Sequence, residues 1–168
     1  MNKIIFVLLL MQTIVVAQDL NKMVIEEPSG KPLVIGLCDR TVFADTNFSW
    51  WYNPEYNNYK INSTPLDSIK DKLDDVKIKI VFGTWCSDSR REVPRFLKIL
   101  DSLNFNSVNI KMICVDRDKN AEGTEVKDLD IKYVPTFIIY KDDEEIGRII
   151  EEPKVTLEED LLSFLLTS

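Results

Sequence analysis

Hydrophobic positions fall into two periods after residue 64, and the switches between them outline an order of elements. Thr64 and Pro65 have the chemistry of an N-cap and a first helical position, opening a helix to about Leu73. Lys77 to Gly83 reads as a strand. Ser87 to about Leu103 repeats at three and four residues, with Val93, Phe96, Leu97, Leu100 and Leu103 on one face, which predicts a helix packed on a sheet. Val108 to Val115 is apolar and β-branched apart from Asn109 and Lys111, as in a buried strand, so strand, helix and strand form a parallel pair. Asp116 to Asp130 is charged and carries a loop and a short helix. Thr136–Tyr140 and Glu145–Ile150 flank the turn Lys141-Asp142-Asp143-Glu144 and predict an antiparallel hairpin. Thr156, with Glu159 three residues on, opens a last helix whose apolar stripe is Leu157, Leu161, Leu162 and Leu165.

Before residue 64 the pattern is less regular. Pro28-Ser29-Gly30 reads as a turn, Leu33–Leu37 as a short strand, and Asn47–Tyr59 as a polar, aromatic stretch without a clear period. Its aromatic residues Phe48, Trp50, Trp51, Tyr52, Tyr56 and Tyr59 either cap the core or make a binding surface beside it. The first residues differ again. Met1-Asn2-Lys3 is a short basic start, Ile4–Val16 is almost wholly apolar, and Val15-Val16-Ala17 offers small residues for cleavage, the pattern of a secretory signal peptide. About 13 apolar residues fall short of the roughly 20 that a spanning helix needs. The expectation is therefore an exported chain, periplasmic or extracellular, with no stable membrane anchor.

Charge and composition remove several classes of function. The 168 residues carry 21 Lys and Arg against 28 Asp and Glu, a formal net charge of −7, which argues against nucleic acid as a partner. There is no histidine, so histidine-dependent triads and ordinary zinc sites are excluded, and no metal site is expected. The three cysteines are Cys38, Cys86 and Cys114, an odd number that leaves at least one thiol free or paired with another molecule.

Candidate chemistry sits in Phe82-Gly83-Thr84-Trp85-Cys86-Ser87-Asp88-Ser89, where a strand gives way to a helix. A cysteine in the first helical turn lies near unpaired backbone N–H groups and the positive end of the helix dipole, both of which favour thiolate. Arg90 and Arg91 should reinforce that effect and Asp88 oppose it. A fourth-position thiol would allow a local disulfide, but that position is Ser89. The Ser89 hydroxyl either donates to the thiolate or merely continues the first turn. Cys114, between Ile113 and Val115 in a core strand, is expected to be inert.

Taken together these residues resemble the thioredoxin superfamily. Trp85-Cys86 stands at the strand-to-helix junction, Pro94 falls eight residues after the cysteine where the family's motif helix is kinked, and Tyr133-Val134-Pro135-Thr136-Phe137 is similar to the family's cis-proline loop. The resemblance covers about Ile61 to Ser168 and is most similar to exported bacterial thioredoxin-like proteins. It implies an α/β fold with a central mixed sheet flanked by helices, residues 1–17 as signal peptide, residues 18–60 as an N-terminal extension packed on the core, and residues 61–168 as the thioredoxin-like domain. It also implies Cys86 and Ser89 as catalytic residues, and Trp85, Val134, Pro135 and Thr136 as a substrate-binding set, without a cofactor.

One departure weakens dithiol reduction. The family's two-cysteine members carry a buried acid under the motif, and the matching position, six residues before Cys86, is Ile80. A lone thiolate can still exchange with a disulfide, provided a second thiol releases it. The expected activity is thus monothiol thiol–disulfide exchange, of reductase or isomerase type, on exported polypeptides with thiols or disulfides or on a small-molecule thiol. A non-catalytic module that binds exported polypeptides is the alternative, and a peroxidase-like thiol is weaker for want of a resolving partner. Cys38 is the one internal candidate for a distant resolving thiol or for a structural bond to Cys114.

Overall fold

The computed structural model describes residues 19–27 and 29–167. The segment 1–17, expected from its sequence to be a signal peptide, lies outside the described residues. Among the described residues seven strands and four α-helices follow one another: β1 (Met23–Glu26), β2 (Lys31–Val34), β3 (Gly36–Cys38), α1 (Thr46–Asn58), α2 (Leu66–Lys70), β4 (Val76–Phe82), α3 (Ser87–Ser102), β5 (Ile110–Cys114), β6 (Thr136–Lys141), β7 (Glu144–Ile150) and α4 (Leu157–Thr167). Strands β1 and β2 make a separate hairpin, while the other five form one sheet in the order β3-β5-β4-β6-β7. Only β4 and β5 run parallel; the remaining pairs are antiparallel. This is the thioredoxin-like fold, a central mixed sheet flanked by helices.

The side-chain period explains how the sheet is covered. Ile78, Ile80 and Phe82 of β4 point to one face with Met112, Cys114, Phe137 and Ile139, where they meet Val93, Phe96, Leu97 and Leu100 of α3 and Leu157, Leu161 and Leu165 of α4. Val81, Ile113 and Ile138 point the other way, into a smaller cluster closed by Ala121, Val126, Leu129 and Val134 from the segment between β5 and β6. That segment contains one short 3-10 helix, Val126–Leu129. All five residues of the α3 stripe are buried. The β6–β7 hairpin turns on Asp142 and Asp143, both in the left-handed region (φ 51° and 66°), the geometry of a two-residue type I′ turn.

Four local expectations need correction. The aromatic stretch is not irregular: Thr46–Asn58 is helix α1, capped by the Asp45 side chain, which accepts from Asn47 N–H. Its asparagines and internal Pro54 weaken helix propensity, so the helix depends on its neighbours. Phe48 and Trp51 are buried, Glu55 pairs with Arg95 at 2.7 Å, and Lys98 donates to the terminal carbonyls of Asn57 and Tyr59 at 3.0 and 2.8 Å. The strand 33–37 is two strands, broken at Ile35. Strand β5 begins at Ile110, preceded by a 3-10 turn at Ser107–Asn109. Helix α2 ends at Lys70 rather than near Leu73 and has Pro65 at its N-cap position without a side-chain bond. The nearest Asx bond lies upstream, where Thr64 N–H donates to Asn62 Oδ1.

Residues before 60 also enter the main sheet, because β3 pairs with β5 at Gly36↔Cys114, Leu37↔Ile113 and Cys38↔Met112. At the opposite edge, Gly147 admits α4: a Cβ there would lie 2.3 Å from the Phe164 ring. Gly147→Ala is expected to destabilise the fold by about 1–3 kcal/mol through that overlap, measured by urea unfolding; an unchanged midpoint would mean that Phe164 can move aside freely.

Candidate active site

Strand β4 is bonded on both sides and ends at Phe82, and the chain turns through Gly83-Thr84-Trp85 into α3. Gly83 is small for a physical reason. A Cβ on it would stand 2.6 Å from Nε1 and Cε2 of Trp85, so the missing side chain lets the indole fold back over the turn. The indole Nε1–H donates to the Val115 carbonyl at 2.9 Å. Arg117 lies over the same ring at 5.0 Å, within the range of a cation–π contact.

Cys86 is the N-cap residue of α3, with extended backbone (φ −83°, ψ 132°). It is half-buried, whereas Cys38 and Cys114 are buried. Its Sγ donates to the carbonyl oxygen of Val134 at 3.1 Å, which brings together the motif turn and the loop before β6, 48 residues apart in sequence. The Val134–Pro135 peptide bond is cis. Val134, Pro135 and Thr136 are all buried, while Lys132 and Tyr133 just before them are exposed. The Thr136 hydroxyl donates to Tyr133 O at 2.8 Å, so what the loop turns toward the thiol is backbone.

Ser89 is fully buried, and its hydroxyl accepts from Gly83 N–H at 3.2 Å. That bond ties the first turn of α3 to the end of β4. Ile80 beneath the motif is also fully buried, opposite Phe137 and Met112 on the neighbouring strands. The two arginines after the cysteine are differently employed. Arg91 is taken up by Asp88 at 2.8 Å, Glu92 at 2.5 Å and Glu152 at 3.6 Å. Arg90 donates through Nε to Thr84 O at 2.7 Å and lies 5.6 Å from the Trp50 ring. Burial lowers the Arg90 pKa; Cys86, close enough to be felt electrostatically, opposes that and Arg117 adds to it.

The N-terminal segment supplies residues that sequence patterning did not single out. Val34 N–H donates to the buried Thr84 hydroxyl at 3.2 Å, fixing the end of β2 on the motif turn. Glu26 at the end of β1 bonds Arg117 Nε at 2.5 Å. The aromatic cluster divides by exposure. Phe48 and Trp51 cap the core against Phe43, while Trp50 is 62% exposed and joins Pro54, Glu55, Ser87, Arg90 and Arg91 in lining an open groove of about 440 Å³. Glu26 lies 60 positions before Cys86 and no local pattern ties it to the motif, whereas Trp50 belongs to the aromatic stretch read from the sequence as a core cap or a binding surface.

A half-buried thiol at a helix N-terminus, facing a prolyl loop at the start of the antiparallel neighbour of its own strand, defines a thioredoxin-fold thiol protein. The match to known sequences agrees: residues 62–165 match the Thioredoxin family, and the chain belongs to that family. It is 28% identical over 91 residues to Thioredoxin-2 of Pyricularia oryzae, covering 53% of this chain and 50% of the relative, so the chain spans half the length of that curated relative. Among solved structures, an HIV epitope-scaffold protein superposes with a TM-score of 0.50 at 12% identity, over 71% of this chain and 82% of the scaffold. A mutant thioredoxin from Entamoeba histolytica matches at 28% identity over 61% of this chain and 93% of its own, with a TM-score of 0.37.

The Glu26–Arg117 pair has a calculable pH signature. The Arg117 hydrogen bond, helped by Ser29, lowers the Glu26 pKa to about 2. A depressed folded value means that the contribution is complete above the unfolded carboxylate range and disappears as pH falls through the folded one. The difference in thermal midpoint between the native chain and Arg117→Ala is expected to be full near pH 6, to shrink below about pH 4 and to vanish near pH 2. A constant difference across that range would show that Arg117 acts through Trp85 alone.

Proposed function

We propose that this chain carries out thiol–disulfide exchange through Cys86 alone. The observation that carries the reading is the placement of Cys86: of the three cysteines it alone is not buried, and it stands at the N-cap of α3, 3.1 Å from the carbonyl before Pro135. In the resting site the protonated thiol donates to Val134 O. Ionisation removes that donor and leaves the carbonyl available to an extended substrate strand. The thiolate attacks one sulfur of a substrate disulfide, forming Cys86–S–S–R and expelling the other half as a thiolate. A second thiolate, from the substrate or from a small molecule, then attacks the bound R sulfur and returns Cys86 as thiolate. No electrons are gained or lost overall, as suits isomerisation or removal of a mixed disulfide.

Ser89 accounts for the monothiol route, since a hydroxyl at that position cannot expel the substrate as a cysteine would. Its proposed part is to hold the motif turn through Gly83, and so to keep Cys86 at the helix start. The groove beside Trp50, Arg90 and Arg91 offers an aromatic face and cations to the polypeptide flanking the reacting cysteine. Export belongs to the same proposal and rests on the Ile4–Val16 apolar run followed by Val15-Val16-Ala17. The proposed partners are exported polypeptides with thiols or disulfides, or a small-molecule thiol.

Iodoacetamide at pH 7 is expected to modify Cys86 at least about 100-fold faster than Cys38 or Cys114, because the buried pair reacts only on opening. Cys86→Ser should abolish exchange with a glutathionylated peptide while changing unfolding free energy by less than about 1 kcal/mol. Exchange that survives in Cys86→Ser would overturn the assignment, and peptide binding by the native chain without any exchange would make it a binding module. Trp50→Ala should weaken peptide substrates roughly fivefold or more and leave the iodoacetamide rate unaltered.

A further inference from the structure

The two cysteines left out of that chemistry meet elsewhere in the fold. Cys38 closes β3 and Cys114 closes β5, and their sulfurs lie 3.0 Å apart although 76 positions separate them in sequence. The sheet register explains the meeting. Cys38 pairs with Met112 and Gly36 with Cys114, so the two cysteines are diagonal neighbours on the same face, where cross-strand side chains come within reach. Two sulfurs at 3.0 Å are closer than their van der Waals radii allow and about 1 Å longer than a disulfide bond. Strand β3 has three residues and, among the described residues, no strand beyond it; its outer side carries a single backbone bond, from Asn21 N–H to Leu37 O at 2.9 Å, and so short an edge strand can make the remaining approach.

We infer that Cys38 and Cys114 form an intramolecular disulfide, a redox site separate from Cys86 that fastens the N-terminal segment to the sheet. Access is from one side. Cys114 is fully buried, but Cys38 is 6% exposed and lines an open cavity of about 310 Å³ together with Arg40, Ile110 and Met112. Burial, and the thiol of Cys38 beside it, push the Cys114 thiol well above the ordinary range, so the first attack falls to Cys38. With a small-molecule disulfide RSSR as oxidant, the Cys38 thiolate attacks one sulfur, giving Cys38–S–S–R and RS⁻. The Cys114 thiolate then attacks the Cys38 sulfur, giving Cys38–S–S–Cys114 and a second RS⁻. Two thiols lose two protons and two electrons, and RSSR is reduced to two thiols.

The bond would have a structural consequence beyond β3. Cys38 leads directly into Asp39, Arg40 and the chain that forms α1, and Arg40 reaches Asp101 of α3 at 2.6 Å. Fastening β3 therefore fixes the start of the segment that carries Trp50 to the groove beside Cys86. The inference does not depend on exchange at Cys86.

The test equilibrates the full chain, and separately Cys86→Ser, in buffers of increasing oxidised to reduced glutathione, followed by alkylation and non-reducing peptide mapping. A cross-linked Cys38–Cys114 peptide, two hydrogens lighter than the dithiol, is expected in both proteins. The oxidised chain should melt on the order of 10 °C higher than the reduced one, as expected for closing a loop of this length, and Cys38→Ser should show neither change. Free Cys38 and Cys114 at every ratio, alkylated only after unfolding, would overturn the inference, as would a cross-link pairing either of them with Cys86.

Discussion

The structure depends on strand β4 being fixed from every direction. It is hydrogen-bonded to β5 on one side and β6 on the other, and its last three residues are fully buried. A strand held so completely has no freedom at its C-terminal end, and whatever follows it inherits a fixed position. The turn Gly83-Thr84-Trp85 and the N-cap Cys86 follow directly. The prolyl loop is fixed by the same strand, since Val81 is paired with Thr136. The 3.1 Å contact between Cys86 Sγ and Val134 O is thus a consequence of sheet register rather than of loop flexibility.

The N-terminal segment is part of this arrangement. It completes the sheet with β3, bonds the motif turn through Val34 and Thr84, and positions Arg117 over Trp85 through Glu26. Helix α1 is tied to α3 by Tyr56, which donates to Asp101 at 2.6 Å, and by Glu55, which pairs with Arg95 at 2.7 Å; Arg40, in the turn before α1, also reaches Asp101 at 2.6 Å, while Phe43 and Phe48 pack on Trp51. Burial and the Asp101 carboxylate push the Tyr56 hydroxyl up to about 12, so it stays a donor throughout the ordinary pH range. A segment outside the matched family region therefore forms one wall of the groove beside the thiol.

Burial also separates the three cysteines into two chemistries. Cys86, at a helix start with one side open, has the access that exchange with a macromolecular disulfide needs. Cys38 and Cys114 lack that access but have each other. Composition alone treated them as three thiols of which at least one was unpaired; the sheet sets Cys38 beside Cys114 and leaves Cys86 apart from both and half-buried.

What the sequence determined by itself was whatever local chemistry encodes. The period-2 and period-3.6 runs delimited β4, α3, β6, β7 and α4, because those elements bury one face or both and the pattern is fixed by burial. The Asp-Asp turn, the Thr156 cap, which accepts from Glu159 N–H at 3.1 Å, and the Trp-Cys-x-x-Ser motif were legible for the same reason. Helix α1 was not, because its asparagines and Pro54 give little intrinsic preference and its stability comes from α3, some forty positions on. Nor could local pattern say where Ser89 directs its hydroxyl, that Trp50 is exposed while Trp51 is buried, or that Cys38 and Cys114 meet. Those facts depend on strand order and register, which join residues tens of positions apart, and only the folded sheet sets them.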